Sequence, residues 1–129
     1  MAEQFENLRR AIGQADDPAQ PAVRRLELLG VAYAEWGVDN PGGYQLLFDA
    51  PDVDPPPGES WAPGIDLLEL AVGLFAELGR DDALSTRLAT TLWASWHGLI
   101  SLRRNNPTAP WMSPLTDDVV LVVNALTRL

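Results

Sequence analysis

The sequence predicts an all-α fold, an antiparallel bundle of about six helices. Three observations carry this. Apolar residues recur at helical period in stretch after stretch, and Asp, Asn, Pro and Gly fall between those stretches where helices start and stop. Only one short segment has the β-branched density of a strand, and it has no second candidate to pair with.

Residues 3–14 (EQFENLRRAIGQ) place Phe5, Leu8 and Ile12 on one face, and Gly13 marks an end. Asp16-Asp17-Pro18 offers a turn and an N-terminal cap. From Pro21 a strong helix follows. Ala22, Leu26, Leu29, Gly30, Tyr33 and Trp36 share a narrow sector, with Arg24, Glu27 and Glu35 opposite. Asn40 then reads as a cap and Pro41 as a first helical residue. GGYQLLF fits two short helical turns.

The segment 49–64, DAPDVDPPPGESWAPG, is the clearest loop, since consecutive prolines cannot join a helix interior. The next helix runs from about Pro63 to Gly79, and Leu67, Ala71, Leu74, Phe75 and Leu78 form its apolar face. Asp81-Asp82 caps the longest helix, which ends near Asn105. The loop NPTAPWMSP leads to Thr116-Asp117-Asp118 and to VVLVVNALTRL. That last run favours a strand on intrinsic preference. Val119, Val122, Val123, Leu126 and Leu129 nevertheless share a face at helical period, behind acids suited to a helix start, so it is assigned as helix.

The 129 residues fit one domain, 1–129, with enough chain to bury a sizeable core. No apolar run reaches a membrane span, the N-terminus lacks a signal peptide's apolar segment, and the expected location is the cytoplasm. A net charge of −9, with nine arginines as the only cationic side chains besides the single histidine, argues against nucleic-acid binding by this chain. With no cysteine and one histidine, neither a metal nor a cofactor is expected.

The longest helix has two unlike faces. Leu84, Leu88, Ala89, Leu92, Trp93, Trp96, Leu99, Ile100 and Leu102 fill one broad half. Thr90, Thr91, Ala94, Gly98 and Ser101 form the other, where small side chains let another helix approach closely. His97 lies at the border. A packed, hydrogen-bonded histidine is the leading reading and a ligand contact the alternative; a catalytic base would need an orienting partner and a nucleophile that no motif supplies. The final helix is apolar over roughly 200° of its circumference, which calls for cover on two sides. A second copy of the chain is the simplest outer cover, through Val119, Val122, Val123 and Leu126 together with the small-residue face. Burial of both faces within one chain is the alternative.

Three stretches are jointly specific: Tyr33-Ala-Glu-Trp36-Gly, Asn40-Pro41-Gly-Gly-Tyr44-Gln-Leu46-Leu47-Phe48, and Trp93-Ala-Ser-Trp96-His97-Gly98-Leu99. In combination they resemble the C-terminal domain of TetR-type transcriptional regulators, in the subgroup with a Trp-His-Gly signature. The helix order is similar over essentially the whole chain, beginning at the connecting helix, so the family's N-terminal helix-turn-helix head is expected to be absent. The resemblance implies a non-enzymatic, effector-sensing homodimer that contacts operator DNA only through that head. It also implies a small hydrophobic effector in a cavity faced by Tyr33, Trp36, Tyr44, Phe48, Phe75, Trp93, Trp96 and His97. Two rival classes share these residues: a ligand-free dimerisation or adaptor module, and a small helical enzyme using His97.

Overall fold

The computed structural model describes residues 2–45 and 62–129. Among them the chain forms α1 (Ala2–Ala15), α2 (Ala22–Asp39), α3 (Pro41–Tyr44), α4 (Ala62–Glu77), α5 (Asp82–Asn105) and α6 (Leu115–Leu126). The all-α expectation holds. The valine-rich end is helical, because α6 can bury one face on the rest of the bundle. The loop expected through residue 64 yields to α4 at Ala62, and the rest of that loop, with Phe48, lies outside the described residues.

α2 is the central helix and touches the five others. Its expected apolar sector is buried throughout. Gly30 explains the density of that packing. A Cβ there would lie 2.5 Å from Trp96 Cζ2 and 2.7 Å from Val119 Cγ1, so α5 and α6 close onto α2 at a point that carries no side chain. At Gly98, by contrast, a Cβ would meet nothing within 4 Å of the same chain.

The helix ends correct two sequence assignments. Asn40 does not cap α3 with its side chain; its amide donates to the Trp36 carbonyl, 2.9 Å away, and closes the end of α2. Asp16 and Asp17 do not cap α2, which starts after Pro21 with no side-chain cap. Asp17 Oδ1 instead accepts from the Ala19 N–H and shapes the turn, while Asp16 pairs with Arg25. Asp81 does cap α5, accepting from the Leu84 N–H at 2.8 Å.

α4 ends in a Schellman motif. Gly79 adopts φ +89°, and the Arg80 and Gly79 N–H groups reach back to the Phe75 and Ala76 carbonyls. The Arg80 guanidinium then donates to the carbonyls of Leu78, Thr127 and Leu129, tying the end of α6 to the end of α4. At the other end of α6, Arg103 pairs with Asp118, donates to the Ser113 carbonyl and lies over the Trp111 ring.

The Asp16–Arg25 pair is bidentate, with contacts of 2.9 and 2.8 Å, and joins α1 to α2. Hydrogen bonding to Arg25 holds the Asp16 carboxyl below its ordinary range, and the same bond raises Arg25. A depressed carboxylate contributes stability that is complete above its unfolded value of about 3.9 and is lost as pH falls through its lower folded value. Arg25→Met is expected to cost about 1–2 kcal/mol in urea unfolding at pH 7 and to lose less on acidification below about pH 4 than the native chain does. An equal cost at pH 7 and pH 2 would show that the loss is packing rather than charge.

Candidate functional site

Where α1, α2, α4 and α5 meet, their apolar faces do not close completely. A cavity of about 60 Å³ remains, lined by Phe5 and Ile12 from α1, Leu29 and Tyr33 from α2, Leu67, Leu68 and Ala71 from α4, and Ala89, Leu92, Trp93 and Trp96 from α5. Each helix contributes residues one or two turns apart on its buried arc, which is why so many side chains converge. The wall is almost wholly apolar. The Trp96 indole N–H is already committed to the Val119 carbonyl at 3.2 Å, and among the described residues no carboxylate or guanidinium lines the space.

Tyr33, Trp93 and Trp96 of the expected set therefore meet at the cavity. Trp93 stands at its rim with 45% of its surface exposed, while Trp96 is buried with its ring 6.0 Å from that of Tyr33. Trp36 and Phe75 are buried in the core without lining the space. Phe5, Ile12, Leu29, Leu67, Leu68, Ala71, Ala89 and Leu92 also line the space and are not among the residues expected at the cavity. Their signal is helical period alone, which marks a buried face without saying whether that face meets a neighbour or a void.

Tyr44 and His97 form a second, polar cluster. Tyr44 is fully buried, and its hydroxyl lies 2.6 Å from His97 Nδ1 and 3.4 Å from the Tyr33 hydroxyl. The Tyr44 and His97 rings stack at 5.5 Å with 16° between planes, and the Arg104 guanidinium lies over the Tyr44 ring. Gly37 allows the tyrosine in: a Cβ there would be 2.9 Å from Tyr44 Cδ2. His97 is thus a hydrogen-bonded, half-buried residue.

The two helices expected to meet a second copy differ from each other. On α5, Thr90, Thr91 and Ala94 are exposed and Gly98 and Ser101 half-buried. The Thr90 hydroxyl folds back to the Thr86 carbonyl at 2.9 Å, so this face is low and its hydroxyl donor is satisfied within the helix. On α6, Val119 and Val123 are fully buried in the chain's own core, and Val122 and Leu126 pack partly against it. The wheel gave their common face correctly; that face turns inward to α2. What α6 offers outward is Leu121, 65% exposed, with Ala125 beside it. Leu84, Trp93 and Leu102, at the edges of the broad apolar half of α5, are also exposed.

No described helix is long and apolar enough to cross a membrane. The model of a family described as "Tetracyclin repressor-like, C-terminal domain" matches residues 26–123, a span that runs from within α2 to within α6. Neither a curated protein nor a solved structure matches the chain.

Proposed function

The chain belongs to the tetracyclin repressor-like C-terminal domain family, and from that membership we propose that it senses a small, uncharged, apolar effector and forms a homodimer through α5 and α6. The family is one of regulators rather than enzymes. The observation that carries the sensing role is the cavity among α1, α2, α4 and α5, with aromatic rings from three of these helices and no charged group in its described wall. Burial of a charge there would lack any compensating partner, which selects neutral ligands. Tryptophan and tyrosine rings give large contact area at little conformational cost.

At about 60 Å³ the space suits a few atoms, whereas drug-sized ligands occupy several hundred Å³. Binding therefore requires the wall to open. Trp93, 45% exposed at the rim, is the exposed side chain of the described wall and the one an opening would displace first. The same small volume favours the rival reading, a dimerisation module with a filled core.

Thermal unfolding in the presence of neutral aromatic and aliphatic compounds separates the two. A ligand at a hundred times its Kd adds about 2.7 kcal/mol, which raises the Tm of a chain this size by about 5 °C or more. Trp93→Ala is expected to enlarge the space and shift the preference toward bulkier ligands. A flat response across a broad neutral set favours the filled-core module.

For dimerisation, support comes from the low outer face of α5. Open space at Gly98 and exposed Thr90, Thr91 and Ala94 form a track against which a second helix can lie closely, and α6, packed on α5, exposes Leu121. Transcriptional control then follows if effector binding favours one dimer geometry over another, altering the placement of DNA-binding heads in a regulator that carries them.

A further inference from the structure

We infer that the contact sequence Tyr33–Tyr44–His97 carries the occupancy of the cavity to the outer face of α5, with Tyr44 and His97 as positioning residues for the response. This rests on the cavity being the effector site. Tyr33 lines that cavity. Its hydroxyl reaches the Tyr44 hydroxyl at 3.4 Å, the outer limit of a hydrogen bond, whereas Tyr44 and His97 Nδ1 are tightly joined at 2.6 Å.

The two links differ in a way that makes the pair a switch. A shift of a few tenths of an ångström at Tyr33 strengthens or severs the long contact and leaves the short one intact. Tyr44 cannot absorb such a shift by itself. It is fully buried, its ring edge lies against Gly37 on α2, and its face stacks on His97. Displacing it moves His97, and His97 is the immediate chain neighbour of Gly98 on the low face of α5. A lone histidine at the border of two helix faces is thereby placed where one side touches the core's polar chain and the other adjoins the surface that would meet a second subunit.

The test uses the neutral fluorescent probe N-phenyl-1-naphthylamine and the full chain. Probe affinity is read by fluorescence, and the dimer dissociation constant by sedimentation with and without saturating probe. The expected result is at least a fivefold change in dimer dissociation constant for the native chain, in either direction. In Tyr44→Phe the change falls below twofold while probe affinity stays within threefold. His97→Leu, at a half-buried position, gives the same loss and serves as the second variant if Tyr44→Phe does not fold. A purely structural role would weaken folding without removing the ratio. Coupling that persists at fivefold in both variants overturns the inference and leaves the sensing function standing, as does probe binding to the native chain with no effect on dimerisation. A native chain that neither binds the probe nor any neutral compound overturns both.

Discussion

Gly30→Ala is expected to destabilise the chain by about 1–2 kcal/mol, against the trend that alanine favours helices. The substitution removes the backbone freedom of glycine, which alone would stabilise α2 by about 1 kcal/mol. The new methyl would sit 2.5 Å from Trp96 Cζ2, 2.7 Å from Val119 Cγ1 and 2.8 Å from Trp96 Cε2. None of these atoms can retreat cheaply. Trp96 is 3% exposed and anchored by its indole N–H to the Val119 carbonyl, and Val119 has no exposed surface. Overpacking of this kind costs about 1–3 kcal/mol and at times more, so it outweighs the propensity gain. Gly73→Ala is the matched control. Gly73 is exposed on α4, a Cβ there meets nothing within 4 Å, and the substitution should raise stability by up to about 1 kcal/mol. Urea midpoints for the two variants should move in opposite directions. If both rise, α2 does not approach α5 and α6 as closely as described.

Much of this arrangement is legible in the sequence. The apolar sectors of α2 and α4 follow from helical period, and Asp81 before α5 announces its own cap. The helical assignment of α6 survived a valine-rich composition because period and starting acids agreed against intrinsic preference. What escaped depends on which surfaces meet. Gly98 belongs to the small-residue face of α5, and within the chain it faces open space, while Gly30 makes the close contact. No pattern local to α2 reveals that Trp96 will arrive there. Val119 and Val123 share a face on any wheel, but a wheel does not say whether a twin subunit or α2 covers it.

The candidate site divides in the same way. Tyr33, Trp93 and Trp96 were within reach because aromatic residues on a buried arc are conspicuous. The aliphatic wall was not, since a void is a failure of distant helices to fill space together. Tyr44 and His97 are separated by 53 positions, and their short hydrogen bond exists only once α3, seated on α2, brings Tyr44 to His97. Asp16 resembled a helix start because Asp-Asp-Pro is a common turn; its partner Arg25 lies on the next helix and takes the carboxylate away from capping.

The outer face of α5 bears the central claim, and Gly98→Glu tests it with the second large effect. The substitution should leave the single chain intact, because the space around Gly98 is open and glutamate is the better helix former. In a symmetric pair it would bring two carboxylates and their bulk into a surface of threonine, alanine and glycine. Like charges forced together cost several kcal/mol, so the dimer dissociation constant should rise a hundredfold or more. Sedimentation equilibrium of the native chain and of Gly98→Glu, at micromolar concentrations in moderate salt, is the most direct measurement. The native particle is expected at twice the 14.1 kDa chain mass and the variant at the mass of a single chain, with unchanged helical content. A native chain that sediments as a compact 14.1 kDa particle across that range, or a variant that dimerises as tightly as the native chain, would contradict the central claim.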